Sequence, residues 1–204
     1  MKTLVFSKDL HGLSVCSDSG GILGRIEELC FDDRSWIVRY LVVDVGRWLK
    51  NRKVLISPVA LRGLDWRNDC IRVEATREQI EKSPDASTDL PVARALELRF
   101  QRDYGWGMMW PEAFIGSRND SASDEGRPYD PHLRSTKILA GATLVGGDSE
   151  ALGNIGDFVV DPETWRIEFV AAEGNKFRTV LVVPSAIHEI DVTRREIRLD
   201  RTAA

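Results

Sequence analysis

Apolar residues alternate with polar ones along much of the chain, and the run Trp36-Ile-Val-Arg-Tyr-Leu-Val-Val-Asp44 shows the pattern most fully. Trp36, Val38, Tyr40 and Val42 fall on one side of a strand and Ile37, Arg39, Leu41 and Val43 on the other. One face is therefore wholly apolar, while the other begins polar and ends apolar. Further strand-like stretches lie around residues 14–16, 22–32, 53–57 and 70–73. Turn chemistry bounds them: Asp18-Ser-Gly-Gly21, Asp32-Asp-Arg-Ser35 and Arg67-Asn-Asp69.

The pattern occurs twice. Gly24-Arg-Ile26 recurs 129 residues later as Gly153-Asn-Ile155, and at the same shift Leu4 meets Leu133, Gly12 meets Gly141, Asp32 meets Asp161 and Trp36 meets Trp165. Beyond a loop that is three residues shorter in the second copy, Leu55 meets Leu181, Pro58 meets Pro184 and Ile71 meets Ile197. In both copies the spacings Ile26 to Leu29 and Ile155 to Phe158 break the period of two. This predicts a bulge at Glu27-Glu28 and at Gly156-Asp157, where a long strand bends around the corner of a small closed barrel. The expected fold is all-β, with two small six-stranded barrels in tandem: residues 1–80 form the first copy and 132–204 the second.

Residues 81–131 form a connector of different composition. Charge concentrates there: residues 1–75 sum to +2, residues 76–131 to −4 and residues 132–204 to −2. Thr76-Arg-Glu-Gln79 has capping-box form and predicts a short helix ending before Ser83-Pro84. Pro91, followed by Val92, Ala95, Leu96 and Phe100, predicts a second helix to about Arg102. The aromatic run Tyr-Gly-Trp-Gly-Met-Met-Trp-Pro at 104–111 and a polar Gly/Ser/Asp-rich stretch complete it.

The motif Gly24-x-Ile26-x-Glu-Leu29-x-Phe31-Asp32-Asp33, running into Trp36-x-Val38-Arg39-Tyr40-Leu-Val-Val-Asp44, resembles the PRC-barrel family. Arg52-Lys-Val-Leu-Ile-Ser-Pro58 and Thr76-Arg-Glu-Gln-Ile-x-x-Ser-Pro84 extend the resemblance, and Asp130-Pro-His-Leu-Arg-Ser135 enters the second copy as in members with two barrels. The resemblance implies a barrel related to the cytoplasmic domain of the photosynthetic reaction-centre H protein and to the C-terminal domain of the 30S ribosome-maturation factor. Both relatives act by binding protein assemblies rather than by turning over a substrate. The expected function is accordingly a non-catalytic interaction adaptor, associated through the reaction-centre likeness with membrane electron-transport complexes. The alternatives are a ribosome-maturation or RNA-processing factor, and a small-ligand carrier or enzyme with a pocket between barrels.

Composition narrows these readings. With 204 residues, 43% hydrophobic and 29% charged, the chain has the make-up of a folded globular protein. A net charge of −4 gives no basic footprint for DNA. The short apolar run at 4–6 is too small for a signal peptide, and no apolar run approaches the length of a membrane span. Cys16, Cys30 and Cys70 lack CxxC spacing and are odd in number, so reduced thiols and a cytoplasmic location, at most peripheral to the inner membrane, are expected. His11, His132 and His188 stand far apart, and neither a metal site nor a cofactor is expected. No catalytic constellation is present. Asp32-Asp33 reads as turn chemistry, because the second copy keeps the first Asp as Asp161 and replaces the second by Pro162.

Two stretches remain as candidate interaction surfaces. The loop holding Arg47, Trp48, Lys50, Arg52 and Lys53 places four cations beside a tryptophan, suited to a phosphate, a lipid headgroup or an acidic partner, or simply to a solvated loop. Trp106, Met108, Met109 and Trp110 form the densest apolar cluster outside a strand, suited either to covering a barrel end or joining the two barrels, or to self-association as a homo-oligomer or partner docking.

Overall fold

The computed structural model describes residues 3–18, 20–49, 52–82, 131–174 and 178–200. The first copy forms β1 (Val5–Phe6), α1 (Ser7–Leu10), β2 (Ser14–Ser17), β3 (Ile22–Asp32), β4 (Val38–Asp44), β5 (Lys53–Ile56), β6 (Leu61–Asp65), β7 (Cys70–Val73) and α2 (Arg77–Lys82). The second forms β8 (Leu133–Ser135), α3 (Thr136–Leu139), β9 (Thr143–Val145), β10 (Ala151–Asp161), β11 (Arg166–Gly174), β12 (Thr179–Val182), β13 (Ile187–Asp191) and β14 (Glu196–Leu199).

The strands make two seven-stranded sheets of matching order, β5-β4-β3-β2-β7-β6 with β8 on β3, and β12-β11-β10-β9-β14-β13 with β1 on β10. Two tandem β units of matching order are thus present, but the expected closure is not, since among the described residues no ladder joins the ends of either sheet. Pro58 and Pro184 open 3-10 turns directly after β5 and β12. A residue without an N–H cannot carry the ladder onward, which leaves those end strands at four residues each.

The first strands of the two copies are exchanged. β1 pairs with β10 of the second copy, Val5 opposite Val160 and Phe6 opposite Val159, and β8 pairs with β3 of the first. The chain accordingly divides into two compact units that do not follow the repeat boundary: Met1–His11, Glu28–Val38 and Arg134–Ala204 in one, Gly12–Glu27 and Arg39–Leu133 in the other.

Within the first unit, equivalent residues of the two copies meet as pairs. Val38 N donates to Trp165 O at 2.7 Å and Ile167 N donates to Trp36 O at 2.7 Å, flanking an antiparallel bridge between Ile37 and Arg166. Each bond maps onto the other at the 129-residue shift, so this bridge has local twofold character. Phe31 stacks on Trp36 at 5.2 Å and packs against Phe158 at 5.6 Å. The buried Asp157 accepts from Ser7 Oγ (2.6 Å), Lys8 N (3.2 Å) and Phe158 N (2.8 Å). Its counterpart Glu28 accepts from Ser135 Oγ. Arg134 pairs with Asp33 at 2.5 Å, while Asp32 accepts from Arg34 N and from both Ser35 N and Oγ, the turn role its position predicts. The register of β10 on β11 shifts between Ile155 and Asp157, placing the bulge at Gly156, as the broken period predicts for the second copy.

In the second unit β2 runs parallel to β7, with Ser14 opposite Cys70 and Cys16 opposite Arg72. Cys16 and Cys70 are therefore diagonal neighbours, 6.3 Å apart at Cα, and are joined by a disulfide. This corrects the expectation of three reduced thiols: an odd count leaves one cysteine over and does not prevent the other two from pairing. Cys30 is the free one, buried. Thr76 N donates to Gln79 Oε1 at 2.8 Å and Gln79 N to Thr76 Oγ1 at 3.2 Å, the predicted capping box at the start of α2, whose Ile80 is buried. Gly24 recurs as Gly153 because each strand passes close to a backbone carbonyl, of Asp44 and of Glu173 respectively, where a Cβ would collide.

Candidate interaction site

The cationic loop leaves β4 through a 3-10 helix, Gly46–Leu49, started by Asp44 Oδ1, which accepts from Gly46 N at 2.8 Å. Arg47 is exposed on that helix, and Trp48 follows it. Two other cations of the loop have partners within the same unit. Arg52 donates from Nη1 to Glu81 O at 3.3 Å, and Lys53 pairs with Glu27 at 2.8 Å. Both serve to tie the loop to its own unit. Lys50, the aromatic run with Trp106, Met108, Met109 and Trp110, and the helix predicted from Pro91 lie outside the described residues.

A site that the sequence pattern did not single out lies on the β6–β7 hairpin. Leu61 faces Val73 and Gly63 faces Arg72, with one register slip between them, and Gly63 sits at φ 134°. The turn is ordered by Asp65, whose carboxylate accepts from Asn68 Nδ2 (2.9 Å), Arg67 N (3.2 Å) and Arg72 Nη2 (3.4 Å). These donors, the Asn68 side chain foremost, hold the Asp65 carboxyl below its usual range. Trp66 stands on this turn at 46% exposure. An open depression of about 530 Å³ is lined by Arg62, Gly63, Leu64, Asp65, Trp66, Arg67 and Arg72. Arg62 pairs with Glu74 and Arg72 with Asp65, while the Arg67 side chain is exposed and has no partner among the described residues. The result is a broad aromatic face rimmed by three guanidiniums and held by a pre-formed turn.

The sister hairpin, β13–β14, keeps the frame and changes the chemistry. His188, Val192, Thr193 and Arg198 stand where the first copy has Arg62, Trp66, Arg67 and Arg72. That contrast is the signal by which the alignment of the repeats could have found the site. Among the described residues no cluster of three His, Cys, Asp or Glu side chains could hold a metal ion. The thiol of Cys30 is pushed far above its ordinary range by burial, reinforced by Glu28, and is unsuited to act as a nucleophile. No helix among the described residues is long and apolar enough to cross a membrane.

Two copies of a short all-β unit with exchanged first strands define a tandem β scaffold. The PRC-barrel domain profile matches residues 2–80 and 137–204, and the chain belongs to the PRC-barrel family. No curated protein matches it. Among solved structures, a putative 16S ribosomal RNA processing protein RimM from Pseudomonas aeruginosa is similar at 14% identity, with 97% of each chain covered and a TM-score of 0.25.

Proposed function

We propose that the chain is a non-catalytic adaptor that docks onto a protein assembly through the β6–β7 hairpin, with Arg47 of the 46–49 helix as a further contact. The observation that carries this reading is the exposed Trp66 in a depression rimmed by Arg62, Arg67 and Arg72. Tryptophan and arginine are the residues that most often dominate binding energy at protein interfaces. A turn already ordered by Asp65 loses little freedom on docking. The ion pairs of Arg62 and Arg72 favour a protein over a bare polyanion, because a phosphate backbone is best gripped by uncompensated cations. A second reading, association with ribosome-maturation or RNA-processing machinery, draws on the same site, since an exposed indole beside arginine can also stack a base.

The test is sedimentation of the full-length chain and of Trp66→Ala through gradients of native extract at low and moderate salt. Co-migration with a large assembly, lost in Trp66→Ala while the circular dichroism spectrum is unchanged, supports the adaptor. Steeply salt-sensitive co-migration with small ribosomal subunits selects the second reading, and sedimentation with membranes selects electron-transport assemblies. A chain that sediments alone under all conditions overturns the proposal.

A further inference from the structure

β12 and β5 occupy equivalent places, each at the end of its sheet, and their apolar residues match: Val180-Leu181-Val182 against Val54-Leu55-Ile56. Their surroundings do not. Val54, Leu55 and Ile56 are 0%, 2% and 0% exposed, whereas Val180 and Leu181 are 38% and 53% exposed. Neighbouring residues in a strand point to opposite faces, so both faces of β12 are bare at Val180 and Leu181, while Val182 is buried at 6% exposure. A helix laid on one face would leave the other in water, while a strand added at the edge flanks both. Such a strand would also take up the main-chain groups on the side away from β11, whose Val170, Ala171, Ala172 and Glu173 face Val182, Leu181, Val180 and Thr179. β12 further lacks the charges that usually guard an edge. The stretch Thr179-Val-Leu-Val-Val183 has none, whereas β5 carries Lys53, β6 carries Arg62 and Asp65, and β13 carries His188, Glu189 and Asp191.

We infer that β12 pairs antiparallel with β12 of a second copy of this chain, extending the seven-stranded sheet across a twofold axis. In the register that sets Leu181 opposite Leu181 of the other copy, Val180 meets Val182 and Thr179 meets Val183, so no charge meets its like. A strand free of charge and bare on both faces at Val180 and Leu181 is its own complement, which a foreign segment would have to reproduce residue by residue. Four paired residues bury well under the roughly 1,000 Å² of a permanent interface, so the dimer is reversible and concentration-dependent.

Sedimentation velocity of the full chain from about one to several hundred micromolar tests this. The mean mass should rise from one 22.9 kDa chain towards two. Leu181→Lys and Leu181→Glu should each weaken association at least about tenfold, with unchanged circular dichroism because the side chain is already more than half exposed. Mixing the two variants should restore a heterodimer. A wild-type chain that stays single throughout, a Leu181→Lys chain that dimerises as before, or a mixture that fails to recover overturns the inference. Trp66→Ala should leave this equilibrium unchanged, which separates its failure from that of the adaptor reading.

Discussion

The two repeats are alike where they are buried and unlike where they are exposed. Val15, Leu41 and Ile71 in the first match Leu144, Val170 and Ile197 in the second, and all six are fully buried. At the hairpin tip, by contrast, Trp66 and Arg67 become Val192 and Thr193, and the end strand that is enclosed in the first repeat is uncovered in the second. The interior keeps its apolar character, one pair identical and two exchanging Val with Leu, while the surface diverges. Packing constrains the inside residue by residue, whereas the outside is free to change.

The sharpest way to break the comparison is to place the same charge at the same position in both repeats. Leu55→Lys buries an unpaired ammonium and should cost about 4 kcal/mol or more, enough to threaten folding, while Leu181→Lys should change stability by no more than about 0.5 kcal/mol. Urea unfolding of the two variants measures the difference directly. Equal losses would mean that β12 is enclosed after all. A second asymmetry is the disulfide, because Val145 and Glu196 stand where the first repeat has Cys16 and Cys70. The bridge closes a separation of 54 residues. Its reduction, or the double replacement by serine, should destabilise the unit that holds it by about 2–4 kcal/mol. Urea unfolding followed by circular dichroism with and without reductant reads this out.

These contrasts also separate what was legible in the sequence from what was not. Alternation of apolar residues, the capping box at Thr76 and the bulge at Gly156 are local features, and each appears in the structure where the sequence puts it. The exchange of β1 and β8 is different. Leu4-Val-Phe6 and Leu133-Arg-Ser135 follow the same pattern and enter equivalent strands, so nothing in either segment says which of two similar partners it joins. The disulfide depends on a parallel pairing between strands 54 residues apart, which spacing alone does not report. In the cationic loop Arg52 and Lys53 meet Glu81 and Glu27, 29 and 26 residues away, contacts that the local pattern does not report. Trp66 adjoins a turn, where the sequence pattern reports backbone conformation and not the side chain displayed.

A smaller effect probes the exchanged segments. Asp157 gathers Ser7 Oγ, Lys8 N and Phe158 N around one oxygen in a buried setting. Asp157→Ala leaves those donors without their acceptor and should cost about 1–3 kcal/mol, while loosening the amino-terminal strand. Hydrogen exchange at the amides of Val5 and Phe6 should quicken in that variant. If they remain as protected as in the parent, Asp157 does not hold the exchanged strand.

The smallest expected effect lies at the hairpin itself, and its sign follows from Asp65. The folded turn favours the charged carboxylate, so the carboxyl is held below its ordinary value of 3.8. A lowered folded-state value means that the turn is fully stabilised above that ordinary value and loses the contribution as pH falls through the folded one. Trp66, next to Asp65, should therefore show a fluorescence transition confined to acid below about pH 4, reversible and without global unfolding. Asp65→Asn keeps the shape of the side chain but cannot titrate, and should abolish the transition. Because the carboxylate sits on a surface turn in contact with water, the consequence is local order rather than global stability. A transition that persists in Asp65→Asn would place its origin elsewhere and remove Asp65 as the residue that holds Trp66 ready for a partner.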